Sequence, residues 1–103
     1  MPHAQTTPRI DTLPRQETAE EPLYHVIIHN DEVTPMDFVV HILVQIFLLH
    51  QTDAVMVMLT AHYRGTAHVQ TLPKAEAQKR IGKAHFAAAL DGYPLHFTME
   101  PAG

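Results

Sequence analysis

Read for its alternation of hydrophobic and polar positions, the chain has a polar start followed by six patterned segments. Residues Tyr24–His29, "YHVIIH", are apolar and rich in β-branched side chains, which predicts a strand. A long apolar segment, "FVVHILVQIFLL" at 38–49, follows a polar turn and predicts a helix running to about Leu49. Thr34 is a good N-cap for it, Pro35 suits the first helical position, and Asp37 takes the third, as in a capping box with Asp in place of Glu. A second helix is predicted to start at Gln51 or Thr52, with Asp53 favouring its first turn and Gly65 at the left-handed position that ends it. "AHVQTL" alternates as a short strand, Pro73 opens a third helix through about Leu90, "DGYP" is a turn, and "LHFTME" alternates as a last strand. The expected fold is α+β: one small domain in βααβαβ order, with a three-stranded sheet packed against three helices.

Composition narrows the possibilities. At 103 residues and 46% hydrophobic content, the chain is sized for one core. Residues 1–22 hold three prolines before Pro22 and several threonines, and are expected to form a flexible tail ahead of a 23–103 core domain. The segment at 38–49 has 12 residues and is broken by His41 and Gln45, whereas a membrane span needs about 20. A net charge of −4 argues against a nucleic-acid or anionic-membrane surface and favours a protein or peptide partner. Cysteine is absent, which excludes disulfides and thiolate metal sites and suits a cytoplasmic location.

The helical faces carry the candidate chemistry. Met58 and His62, four apart, share a face of the second helix with Ala54 and Ala61 beside them, and Val55 and Leu59 form the neighbouring row. Met36, Val39, Ile42 and Leu43 form an apolar stripe on the first helix, whose first turn lies next to the polar run Asn30, Asp31, Glu32. If these helices pack together, an apolar cup opens beside a carboxylate and an imidazole. That combination suits a ligand with a hydrophobic side chain next to a positive charge, as at the free N-terminus of a peptide. From the residues alone, Asn30 and Asp31 read first as turn formers and Met36 and Met58 as core, and His62 reads equally as a solvated helix end.

The same stretches, "YHVIIHNDEVTPMDFVV", "MLTAHYRG" and "PLHFTMEP", resemble the ClpS family of ATP-dependent Clp protease adaptor proteins over residues 24 to about 101. The resemblance implies an adaptor that binds N-degron substrates starting with Phe, Tyr, Trp or Leu and hands them to a ClpA- or ClpC-type AAA+ unfoldase for degradation by ClpP. It implies that Asn30, Asp31 and His62 bind the α-amino group and first peptide unit, and that Glu32 and Thr34 lie at the rim. Ile28, Met36, Val39, Ile42, Met58 and Ala61 are then the walls around the side chain.

Glu32 stands where many members of the family have a second aspartate, and its extra methylene moves the charge by about 1.5 Å. The third helix has lost some of the acidic residues that the family uses around its unfoldase-docking surface. A divergent relative that modulates the unfoldase without reading N-termini is the alternative. Nine histidines raise a metal-binding protein as another class, but His25 with His29 and His62 with His68 lack ligand spacing. A hydrolase lacks a nucleophile: there is no Cys or Ser, and Thr34 and Thr60 read as a cap and a helix residue. No cofactor and no catalytic activity are expected.

Overall fold

Residues 21–103 are described by the computed structural model; the expected tail at 1–22 lies almost wholly outside them. The elements follow in the order β1 (Leu23–His29), α1 (Met36–Gln45), α2 (Gln51–Arg64), β2 (Thr66–Pro73), α3 (Lys74–Leu90) and β3 (His96–Pro101). The strand order is β2-β1-β3 with both pairs antiparallel, so the first strand is the central one. Its start is fastened on both sides as well: the Lys74 N–H donates to the Pro22 carbonyl and the Ala102 N–H to that of Leu23.

One face of the sheet is buried. Val26 and Ile28 of β1, Ala67 and Val69 of β2 and Phe97 of β3 join Ile42, Leu43, Phe47, Ala54 and the α3 alanines in a single core. The α3 face is built from Ala77, Ala84 and Ala88, small enough for that helix to lie close across all three strands. Phe47 and Phe97 meet at the centre with their rings tilted by 31° and the centroids 4.8 Å apart, and burying either ring contributes about 1.5–3 kcal/mol.

The first helix departs from expectation at both ends. Pro35 takes the N-cap position with no side-chain cap, because the Thr34 hydroxyl and N–H are both spent on the Asp31 carboxylate. Asp37 forms no capping box; among the described residues its carboxylate accepts the N–H of the next residue, Phe38. At the other end α1 stops at Gln45, four residues before Leu49, because the chain turns inward to bury Phe47. The carbonyl of Phe47 is held outside the helix by the Gln70 amide (3.1 Å) and by Arg80 (3.3 Å), which also pairs with Glu76 at 2.8 Å. Leu48 consequently adopts φ 60° with its side chain mostly exposed. Replacing it with glycine, which adopts this conformation without a Cβ conflict, is expected to raise stability by about 0.5–1 kcal/mol, read as a higher urea midpoint at unchanged slope.

The edge strand β3 is guarded by a histidine. The Phe97 N–H points away from β1 and donates to His85 Nε2 on α3 at 3.0 Å, so that nitrogen carries no proton in the folded chain. Burial, and then the neighbouring His96, hold His85 below the usual histidine range. The unfolded chain therefore takes up a proton near the ordinary value of about 6.5 while the folded chain does not, and the stability present above that pH is lost as pH falls through the window down to the lowered value. Denaturant titrations at a series of pH values should show wild type losing more stability below this point than His85→Gln, which keeps an acceptor and cannot titrate. Equal slopes would remove His85 from the acid response.

Candidate functional site

The site grows from the junction where β1 ends. Asn30 leaves the strand and donates its N–H to the Gly65 carbonyl at 2.9 Å, which brings the turn after β1 against the end of α2. Gly65 ends α2 at φ 97° and donates its own N–H to Ala61. This conformation strains any residue with a Cβ.

Beyond Asn30 the turn closes on itself around Asp31. Its Oδ1 accepts the N–H groups of Val33 (2.8 Å) and Thr34 (2.7 Å), and its Oδ2 accepts the Thr34 hydroxyl (2.9 Å). Partial burial pushes this carboxyl up, but the hydrogen bonds from Thr34 and Val33 outweigh that, and the pKa lies below the usual aspartate value. Asp31 is thus a charged group at neutral pH and also the structural centre of its own turn.

Between this turn, α1 and α2 lies a cavity of about 540 Å3, within the size range of small-ligand sites. Ile28, Val39, Ala61 and Leu95, all nearly inaccessible, form its deep surface. Met36 and Met58 are more accessible, and Met36 is 44% exposed in the first turn of α1. Asn30, Asp31, Glu32, Thr34 and His62 supply the polar part of the lining. His62 is exposed and its ring meets Tyr63 edge-on at 4.9 Å.

Ten of the eleven expected site residues therefore line one cavity, and Ile42 does not. At 2% exposure Ile42 lies one turn beyond Val39, where the apolar stripe of α1 has passed from the cavity into the core. Four wall residues stand outside the sequence expectation: His29, Val33, Pro35 and Leu95. Three belong to the stretch that already held the polar run. Leu95 is distant in sequence and arrives because His96 pairs with His29, which puts the residue before β3 beside the turn after β1. Its signal was the alternation of "LHFTME", in which Leu95 shares the apolar phase with Phe97.

Among the described residues no three His, Asp or Glu side chains converge closely enough to hold a metal ion, and no helix is long and apolar enough to cross a membrane. What the cavity offers is apolar depth beside hydrogen-bonding groups and negative charge.

Comparison with known proteins bears on the same region. The family profile described as ATP-dependent Clp protease adaptor protein ClpS matches residues 19–98. A relative from Mesorhizobium japonicum, ATP-dependent Clp protease adapter protein ClpS 2, is 41% identical over 101 residues, covering 98% of each chain. The ClpS adapter of Vibrio cholerae is 37% identical over 98 residues, covering 93% of this chain and 92% of its own. The structure of Agrobacterium tumefaciens ClpS2 bound to L-phenylalaninamide superimposes with a TM-score of 0.76 at 34% identity, over 80% of this chain and 99% of that one. With the same βααβαβ fold and a profile match running from β1 into the first half of β3, this chain belongs to the ClpS family of ATP-dependent Clp protease adaptor proteins.

Proposed function

We propose that this chain is a non-catalytic adaptor whose cavity receives the N-terminal residue of a substrate protein, with Phe, Tyr, Trp or Leu inserted, and that it hands the substrate to a ClpA- or ClpC-type unfoldase for degradation by ClpP. The observation that carries the reading is the pairing of an apolar cavity, about 540 Å3, with an ionised carboxylate and hydrogen-bonding groups in its lining. L-Phenylalaninamide, the ligand of the Agrobacterium relative, combines these two features in one small molecule, a benzyl side chain beside a free α-amino group.

In this reading Asn30, Asp31 and His62 hold the α-ammonium and first peptide unit, with Glu32 and Thr34 at the rim. Ile28, Val39, Ala61, Met58 and Met36 enclose the side chain, and Leu95 completes the wall. Burying a Phe or Leu side chain there contributes about 1.5–3 kcal/mol, a preference of roughly ten- to a hundredfold over Ala. The direct test is a titration of fluorescent peptides beginning with Phe, Leu, Ile and Met against the purified protein, each with a free and an acetylated N-terminus. Free Phe and Leu peptides should bind and their acetylated forms should not. Failure of every free peptide would favour the alternative of an unfoldase modulator that does not read N-termini.

Removing the carboxylate should weaken binding in two ways. Asp31→Ala takes away a charge facing a desolvated ammonium, on the order of 2–5 kcal/mol of binding, and also frees the Val33 and Thr34 amides. Asp31→Asn keeps an acceptor for the turn while discarding the charge, so it should recover much of the thermal stability lost in Asp31→Ala and little of the affinity. Equal affinity in wild type and Asp31→Asn would show that the turn, and not the charge, matters to the ligand.

Met36 is expected to act as the gate. Its thioether, in the first turn of α1, would lie against the ligand's Cβ, so β-branched Ile and Val collide with it while Phe and Leu, branching farther out, pass. Met36→Ala should admit N-terminal Ile and Val with little loss for Phe. If the unmodified protein already binds Val as well as Leu, the gate lies elsewhere in the wall.

A further inference from the structure

The sheet face turned away from the helices carries the residues that alternate with the core positions. The register sets them in three rows across β2, β1 and β3: Thr71, His25, Glu100; then His68, Ile27, Thr98; then Thr66, His29, His96. Four of the nine histidines thus share one face. They fall into two pairs of different geometry.

In the pair His29 and His96 the ring nitrogens do not aim at a common point. His29 Nε2 is engaged with the Thr98 hydroxyl at 2.7 Å, and His96 lies between the rings of His29 and His85. In the pair His25 and His68 they do. His25 Nδ1 lies 2.8 Å and His68 Nε2 2.9 Å from the same atom, the Thr71 hydroxyl oxygen, with the ring centroids 5.1 Å apart and nearly perpendicular. The register irregularity of β1 against β2 between Val26 and Ile27 falls between the two rows that hold this pair. A hydroxyl has one proton to give, so at least one of these nitrogens must donate to it and at most one can accept from it. The other tautomer of each ring turns a lone pair toward the shared point.

We propose that His25 and His68 form a two-imidazole site for a borderline divalent metal ion, bridging β1 and β2 on the sheet face turned away from the helices. Imidazole nitrogen is a preferred donor for Cu2+, Ni2+ and Zn2+, and Cu2+ is held most tightly of the three by a given set of nitrogens. Each ring gives a lone pair and keeps its single proton on the other nitrogen, so binding needs no net proton release from neutral histidines. Thr71 gives up its place between the rings. No third His, Asp or Glu among the described residues reaches this point, so solvent or a small chelator fills the remaining positions. The site shares no residue with the cavity and does not depend on the function proposed for it.

The probe that fits two adjacent nitrogens is Cu2+ held by iminodiacetate, which leaves neighbouring coordination positions open. Added to the full chain at neutral pH, it should bind at a site whose pulsed EPR spectrum shows two imidazoles on one copper. His68→Ala, a change at an exposed edge-strand position, should weaken that site on the order of a hundredfold by removing the chelate, and His25→Ala should do the same. His29→Gln and His96→Gln should leave it unchanged. The bound ion should also raise the melting temperature of wild type and not of His68→Ala, since it joins two strands of the folded state alone. Wild-type affinity in His68→Ala, or a single-imidazole spectrum in the wild type, would overturn the proposal.

Discussion

The arrangement of the cavity depends on one backbone hydrogen bond, from the Asn30 N–H to the Gly65 carbonyl. The floor comes from elements that pack for their own reasons: β1 is the central strand, and α1 and α2 bury their inner faces in the core. The polar part of the lining has no such support. It comes from a turn whose exposed groups bury little apolar surface, and from His62, which is exposed near the end of α2. Gly65 joins the two, and its left-handed conformation both stops the helix and aims a carbonyl at the turn. The covalent path from Ile28 to Asn30 fixes one side of the turn, Gly65 the other, and Asp31 fills the space between with its own hydrogen bonds.

At the opposite end of α1 a second polar tie bears on the fold and not on the cavity. The Phe47 carbonyl, stranded where the helix ends, is taken up by Gln70 from β2 and Arg80 from α3. Arg80 also reaches the Gln70 side-chain oxygen at 3.1 Å, so three elements meet at one buried aromatic residue. None of these residues, and no residue of α3, lines the cavity. This tie and α3 therefore lie away from the cavity, whose deep wall of Ile28, Val39, Ala61 and Leu95 is part of the same core. A cavity that leaves apolar walls open and polar groups unpaired costs stability, and here the alanine face of α3 and the paired phenylalanines supply the packing that offsets it.

The order and type of every element could be read from the chain, because each apolar run carried a clear period and was bounded by proline, glycine or a polar turn. The ends of α1 could not. Thr34 followed by Pro35 is the local signature of a cap, but the Asp31 carboxylate takes both the Thr34 hydroxyl and its N–H, and Pro35 is left as the cap residue. Leu49 continues an apolar run, yet burying Phe47 in the core outweighs the left-handed strain imposed on Leu48. The polar lining was legible because four of its five residues are contiguous or nearly so. The wall was legible only as far as single helices and β1 carry it. Leu95 depends on which strand neighbours β1, and Ile42 on how far along α1 the cavity extends; periodicity contains neither.

On the proposed reading, the turn solves an electrostatic problem as well as a geometric one. An adaptor that distinguishes a chain's first residue from an internal one must detect the α-ammonium, since the side chain is the same in both places. A carboxylate lining an apolar cavity tends to protonate, because partial burial disfavours the charged form. At Asp31 the amides of Val33 and Thr34 and the Thr34 hydroxyl outweigh that tendency and hold the carboxyl below the usual aspartate value. A carboxylate offers about four acceptor positions, and the turn uses three of them. The remaining capacity is fixed in direction by the other three, so it cannot swing toward solvent when the ligand arrives. The same hydrogen bonds that shape the turn therefore set its charge and aim it, and an uncharged internal amide would meet a group that is held ready for a cation.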